Sequence, residues 1–324
     1  MSKRKINLQQ QRRITKNQTK LLDGPELSGL VLANYGKNLE IEDATGKQIL
    51  CRKRQHLGIV VPGDRVIWQM DLEDNTGVVL TVQPRTSLLS RPDARGAVHA
   101  VAANVDQIFI VIAPTPAPNQ TTIDRYLIAA ETENIQPIIV LNKEDLLAND
   151  PQREPILNLV GQYKKIGLTI LTLSATKKQH LSLLHAQLAN KISVFVGQSG
   201  VGKSSLIAEI LQQPLIRTGE LSSSSQQGQH TTTTARLYHL DAQPGSVIDS
   251  PGIREFPLWP LDPSTLAYGF IEFRPFLQDC KYRNCLHTIE PGCALLKATA
   301  NGSISNARLL SYQKILATMK DQTK

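Results

Sequence analysis

The chain has 324 residues, 36 of them Lys or Arg against 28 Asp or Glu, for a formal charge of +8; this length allows about two domains or three small ones, each with a real core. Hydrophobic residues make up 41% and charged residues 20%, proportions that exclude a disordered or fibrous chain. The longest apolar runs, such as 108–113, fall far short of the ~18 residues of a membrane span, and no apolar core follows the basic start as in a secretory signal, so a cytoplasmic protein with no membrane partner is expected.

Lys3, Arg4, Lys5, Arg12, Arg13, Lys16 and Lys20 place seven positive charges and no acid in residues 1–20. Such an arm either meets nucleic acid or only keeps the protein soluble. Residues 21–88 hold short β-rich runs, from "LSGLVLANYG" to "TGVVLTVQP", separated by turns at Gly36, "ATGK" and "VPGD". About five strands in about sixty residues predict a small antiparallel barrel of the OB type. RNA is a frequent ligand of that fold, although fold alone does not establish the use. Arg52, Lys53 and Arg54 either face phosphates or form a charged edge that blocks aggregation. Cys51 stands alone and reads as an inert buried thiol.

From 89 to 261 the pattern becomes α/β. "QIFIVIA", "QPIIVLN", "LTILTLSA", "KISVFVG", "ARLYHL" and "GSVIDS" are nearly continuous apolar runs, as strands of a largely parallel, two-sided sheet should be. "TTIDRYLIAAETEN" and "KSSLIAEILQQ" are helix candidates between them, which predicts a three-layer domain. The tract "SSSSQQGQ" at 222–229 lacks an apolar face and reads as a loop.

"LNKED" at 141–145 ends one of these strands. The Asp145 carboxylate can accept hydrogen bonds from guanine N1–H and the exocyclic amine; adenine lacks both donors and would leave the acid unpaired. Lys143 can cover the base with its stem, Asn142 can tie this loop to a phosphate loop, and Glu144 completes the tetrad. "LSAT" at 173–176 ends the next strand, placing Ser174 beside Ala175, whose N–H is aimed at guanine O6.

The phosphate loop itself follows later. "GQSGVGKSS", Gly197, Gln198, Ser199, Gly200, Val201, Gly202, Lys203, Ser204 and Ser205, fits G-x-x-x-x-G-K-[ST] between a strand and a helix, the setting the motif requires. Its glycines allow backbone N–H groups to face an anion, Lys203 would reach the outer phosphates, and Ser204 would ligate magnesium. In "VIDSPG", Asp249 can hold magnesium and the Gly252 N–H can meet a γ-phosphate. Thr231, Thr232 and Thr233 of "GQHTTTTARLYHL" fall where a switch loop would supply a hydroxyl and a carbonyl, with Thr232 the catalytic candidate among the three.

The base reader thus precedes the phosphate loop. Joining the old ends of a parallel α/β domain and cutting elsewhere keeps every strand in place, so the reversed order is compatible with an unchanged site. After residue 262, "CKYRNCLHTIEPGC" gives Cys280, Cys285, His287 and Cys293, a donor set suited to one closed, structural tetrahedral Zn2+ site. Lys281 and Arg283 in the same loop either touch RNA phosphates or are solvated. The run "SISNARLLSYQKILATMK" predicts a terminal helix capped by Ser303, with Ile304, Leu309, Ile315, Leu316 and Met319 toward the core.

The succession N-K-x-D, S-A, P-loop, threonine switch and D-x-P-G, between an OB-like segment and a Cys/His-rich C-terminal segment, resembles the circularly permuted GTPases of the RsgA (YjeQ) type. Its most specific pieces are "LNKEDLL", "GQSGVGKSSL", "HTTTTARLYHL" and "DSPGIREF". The resemblance implies a multidomain protein: an OB barrel, a permuted GTPase domain at 89–261, and a helical zinc domain at 262–324. It also implies slow GTP hydrolysis stimulated by the small (30S) ribosomal subunit and its 16S rRNA, whose late maturation the family assists. A monomer is the simplest form for such a partner.

Small GTPases often orient water with a glutamine after D-x-x-G; here that position is Ile253, which cannot hydrogen-bond through its side chain. His230, beside the threonines, is the candidate to position water, with Lys203 and magnesium meeting transition-state charge. Ile253 equally suits a GTP-binding RNA scaffold with little turnover. A P-loop kinase or ATPase is the third reading and conflicts with Asp145.

Overall fold

β1 (Leu27–Asn34) buries Val31, Leu32 and Ala33 in succession, whereas in β2 (Asn38–Asp43), β3 (Gln48–Lys53), β4 (Arg65–Asp71) and β5 (Thr76–Val82) buried side chains alternate with more exposed ones over much of each strand. One face of each therefore seeks a common interior. The computed structural model describes residues 24–71, 76–92, 97–148, 150–212, 235–250 and 261–322. The basic arm, the 222–229 tract, His230, Thr231 to Thr233, Gly252 and Ile253 lie outside the described residues.

The five strands close into a barrel in the order β1-β2-β3-β5-β4-β1. Closure runs through a parallel β3–β5 pair, which alternation cannot reveal, so the barrel is not wholly antiparallel. Trp68, 1% exposed, fills it with Val31, Leu39, Ile41 and Val79. A Cβ on Gly29 would lie 2.4 Å from Ile41 and 3.0 Å from Trp68, and one on Gly77 would lie 2.1 Å from the Cys51 sulfur. Both glycines make room for the indole. Burial pushes the Cys51 thiol up to about 12, consistent with an inert sulfur. Arg52 pairs with Asp71 at 2.7 Å and Lys53 donates to the Gly58 carbonyl at 2.6 Å, so both serve the barrel itself.

A two-stranded hairpin, β6 (Leu88–Pro92) and β7 (Val98–Ala103), leads out of the barrel and has no counterpart in the sequence reading. The Asn104 amide locks it to the barrel, donating to Gly63 O at 2.8 Å and accepting from Thr86 N at 2.9 Å. Buried Asp64 takes a two-pronged ion pair from Arg85 at 2.7 and 2.8 Å.

The α/β layer follows in chain order: β8 (Gln107–Ile112), α1 (Gln120–Thr132), β9 (Gln136–Leu141), α2 (Glu144–Leu147), α3 (Arg153–Lys165), β10 (Thr169–Thr172), α4 (Leu181–Leu188), β11 (Ile192–Val196), α5 (Lys203–Leu211), β12 (Arg236–His239) and β13 (Ser246–Asp249). The spatial order is β10-β9-β8-β11-β13-β12, parallel except for β12. β8 is buried along its whole length, as a central strand covered on both faces must be. Order reverses between β8 and β11, and ligands of open α/β sheets bind beyond the strand ends at such a switch point. β12 also pairs with β1, which makes barrel and α/β sheet one continuous sheet.

The C-terminal part consists of α6 (Pro263–Tyr268), α7 (Arg274–Leu277), α8 (Ala294–Ala300) and α9 (Asn306–Gln322). Asp262 caps α6, accepting from Ser264 N at 3.0 Å and Thr265 N at 2.9 Å. The apolar residues expected on α9 are buried. The helix begins later than expected: the chain turns at Gly302 (φ 80°), and Ser305 rather than Ser303 supplies the first helical carbonyl, to Arg308 N and Leu309 N. α9 lies on α1, and between them Arg308 (4% exposed) forms ion pairs with Asp124 (0%) and Glu272. Tyr163 donates to Asp124 at 2.6 Å, and the guanidinium lies 4.5 Å from the Phe270 ring centre.

Candidate nucleotide site and metal centre

The phosphate loop joins β11 to α5, and its glycines are dictated by geometry. Gly197, Gly200 and Gly202 have φ of 142°, 82° and 96°, values that L side chains rarely adopt. A Cβ on Gly197 would lie 2.2 Å from Val111 O, and one on Gly202 would lie 2.4 Å from Asn142 Nδ2. Lys203 is 6% exposed, and its Nζ donates to the Gly197 and Gln198 carbonyls at 2.6 Å each. Val201 is buried and Ser199 exposed, while Ser204 and Ser205 are exposed on the first turn of α5.

Asn142, 1% exposed at the end of β9, joins three loops. Its Nδ2 donates to Val201 O at 2.9 Å, its Oδ1 accepts from Ala175 N at 3.1 Å, and its backbone N–H donates to Ile112 O at 2.8 Å. The Ala175 N–H, expected to reach guanine O6, donates here to Asn142. Lys143, in the left-handed region at φ 59°, extends its amine to Gly200 O (2.6 Å) and Thr115 O (2.7 Å). Its stem therefore crosses from the base-reading loop to the phosphate loop.

Asp145 receives a 2.5 Å hydrogen bond from the Ser174 hydroxyl, which is fully buried and also accepts from Lys177 N at 3.1 Å. Ser174 thus orients a carboxylate, a relation that motif matching leaves unspecified. Glu144 instead pairs with His180 Nδ1 at 2.9 Å, bracing the two loops from outside. Asp249 ends β13, whose register with β11 runs through Val194↔Ile248, so Asp249 lies level with Phe195, just before the phosphate loop.

The C-terminal cluster is as compact. One donor atom each from Cys280, Cys285, His287 and Cys293 lies within 4.8 Å of the others, with His287 Nδ1 3.6 Å from Cys280 Sγ and 3.4 Å from Cys293 Sγ. A tetrahedral zinc with ordinary Zn–S and Zn–N bonds has donor–donor edges of roughly 3.5–3.8 Å, so the set fits that ion. The loop is built to hold this shape. Glu290 accepts from the backbone N–H groups of Leu286 (3.0 Å), Thr288 (2.8 Å) and Ile289 (3.1 Å); burial works to raise its carboxyl, yet these bonds hold it at about 2. From α9, Tyr312 and Gln313 donate to the Leu286 and His287 carbonyls at 3.2 and 2.9 Å. Burial and neighbouring sulfurs push the Cys285 thiol up to about 12, a crowding that a dication relieves by binding thiolates.

A family model described as RsgA GTPase matches residues 82–259, more than half of the chain. The chain belongs to the RsgA GTPase family. Curated relatives named small ribosomal subunit biogenesis GTPase RsgA include one from Hahella chejuensis, 44% identical over 99% of this chain and 98% of its own. Another, from Chromohalobacter salexigens, is 46% identical over 98% of each chain. Among solved structures, YjeQ from Thermotoga maritima matches with a TM-score of 0.74 at 31% identity, covering 91% of this chain and 99% of its own. YloQ, described as a circularly permuted GTPase, matches with 0.71 at 26% identity over 92% and 96%.

Membership in the RsgA family makes the reversed motif order a property of the fold, and the Gly202–Asn142 approach becomes testable. Gly202→Ala should lower GTP affinity at least tenfold in a fluorescent-nucleotide titration, because left-handed backbone costs a residue with a Cβ roughly 1–2 kcal/mol and the Cβ displaces Asn142 as well. Affinity within a factor of two would show that the loops do not need this contact. For the metal centre, elemental analysis of purified protein should find one zinc per chain. Cys293→Ser should lose it and lower the first thermal transition, since structural zinc contributes folding free energy directly.

Proposed function

We propose that this chain is a small ribosomal subunit biogenesis GTPase that binds GTP beyond the ends of β8, β9, β10 and β11 and hydrolyses it faster when docked on the 30S subunit. The observation that carries this reading is the Asn142 junction, which holds the base-reading and phosphate loops as one pocket. In this pocket Asp145, set by Ser174, selects guanine, and Lys143 covers the base. Lys203 meets charge on the outer phosphates. Ser204 and Asp249 are the residues to hold Mg2+, which supplies neutralisation of the β- and γ-phosphate oxygens. His230 orients the attacking water, and the roles of switch threonine and γ-phosphate donor fall to Thr232 and the Gly252 N–H.

The division of labour extends to the other parts. The OB barrel and the basic arm suit 16S rRNA, the helical segment from 262 carries one structural zinc, and the protein acts in the cytoplasm as a monomer. GTP hydrolysis measured with and without purified 30S subunits tests the reading. Stimulation of tenfold or more is expected, and GTP should bind at least a hundredfold tighter than ATP. Ile253, lacking a hydrogen-bonding side chain, favours a second reading, a GTP-holding scaffold, which absence of stimulation would support. His230→Ala should bind GTP normally while losing most of the stimulated rate; full retention would remove His230 from the mechanism.

A further inference from the structure

The backbone join between barrel and α/β sheet is short. Among the described residues a single ladder pair, Ala33↔Arg236, links β1 to β12. Side chains strengthen this join in a way the nucleotide site does not require. Arg236 Nη2 donates to Glu40 Oε1 at 2.7 Å and Nη1 to Glu40 Oε2, a two-pronged ion pair. Tyr35 donates its hydroxyl to Glu40 Oε2 at 2.8 Å and accepts from Arg236 Nη1 at 3.0 Å. Two residues along the same face of β2, Glu42 pairs with His239 Nε2 at 2.6 Å, and His239 Nδ1 contacts the Ser246 hydroxyl of β13 at 3.0 Å. Side chains of Arg236 and Glu40 are 28% and 16% exposed, partly withdrawn from water, where forked guanidinium–carboxylate pairs hold both distance and orientation.

The location matters more than the strength. Arg236 is the cross-strand partner of Ala33 on one side and of Asp249 on the other. In sequence it comes two residues after Thr234. The barrel's outer face is therefore fastened at the point where the sheet delivers Asp249 and the chain rejoins it from the threonine segment.

We propose that Arg236 is a positioning residue: held by Glu40 and Tyr35, it ties the edge of the GTPase sheet to the barrel, so that docking of the barrel on the small ribosomal subunit is transmitted to GTP hydrolysis. A bistable effect at a distance needs a physical element that both sites bias; β12 touches the barrel and β13 at once. This inference rests on the functional reading above and adds the route of its regulation.

The test is a charge exchange in the full-length protein. Glu40→Arg, Arg236→Glu, the double exchange and the milder Glu40→Gln are compared by single-turnover GTP hydrolysis, alone and with saturating purified 30S subunits. Subunit binding by co-sedimentation and thermal melting are run in parallel. Glu40→Arg should keep its unstimulated rate and GTP affinity within about threefold and still bind subunits, yet lose at least tenfold of the stimulation; Glu40→Gln should lose less, and the double exchange should recover a substantial part. Recovery by exchanged charges ties the loss to this ion pair, and the unstimulated rate and the melting run in parallel separate coupling from general destabilisation. If the unaltered protein is stimulated and the folded Glu40 variants are stimulated equally, the coupling role is overturned. Equal loss of unstimulated and stimulated rates would also overturn it, by making the pair a stability element. If the unaltered protein shows no stimulation, the functional reading itself fails and the coupling with it.

Discussion

Asp145→Asn should convert a GTP-selective site into one that prefers xanthosine triphosphate. Guanine presents two donors, N1–H and the exocyclic amine, and a carboxylate accepts both; the asparagine amide offers one acceptor and turns an NH2 toward the second donor. Hydrogen bonds to a charged group contribute about 1.5–3 kcal/mol each, so losing at least one and creating a donor–donor contact should cost roughly 2–4 kcal/mol, or about thirty- to seven-hundredfold in Kd. Xanthine carries a carbonyl where guanine has the amine, and the asparagine NH2 can donate to it. Competition titrations with both nucleotides check the exchange. Less than a threefold loss of GTP affinity would place base selection elsewhere. Ser174→Ala should produce a smaller loss in the same direction, because the 2.5 Å bond from Ser174 orients the carboxylate rather than touching the base.

The second large effect concerns stability. Arg308→Ala leaves Asp124 and Glu272 as carboxylates without their cation in a site where Asp124 is fully buried. Removing one partner of a buried ion pair typically costs 3–5 kcal/mol, which for a domain of this size corresponds to a fall of roughly 6–20 °C in the first thermal transition. Desolvation disfavours the guanidinium, but the Asp124 and Glu272 charges more than compensate and hold it protonated. The cost should therefore lie in what is left behind. Arg308→Met combined with Asp124→Leu and Glu272→Met should melt higher than Arg308→Ala alone, as apolar replacement of whole buried networks often does. A triple variant that melts lower would mean the polar network is intrinsically stabilising.

Local motifs were legible in the sequence because each depends on residues a few positions apart. "GQSGVGKSS" and "LNKED" state their chemistry without help from the rest of the chain, and the apolar runs of β8, β9 and β11 announce a sheet buried on both sides. The Cys280–Cys293 spacing likewise carries its own meaning. Contacts between distant residues were not legible. Arg308 and Asp124 are 184 residues apart and Arg236 and Glu40 are 196 apart; each of these four charges looks in isolation like an ordinary solvated residue. The parallel β3–β5 closure is illegible for the same reason, and the β6–β7 hairpin, though local, lies in strands whose buried residues do not alternate. Within the site, Ser174 is legible as part of a candidate base-binding loop, but its hydrogen bond to Asp145 depends on the relative placement of two strand ends.

The Asn142 junction also has a consequence for biosynthesis. Its partner Val201 lies 59 residues downstream, so when the guanine reader leaves the translating ribosome, the loop that completes it has yet to be made. The nascent chain therefore carries the Asn142 loop before α5 and the loop that precedes it exist. The junction can close only after β8, β9, β10 and β11 have all been made.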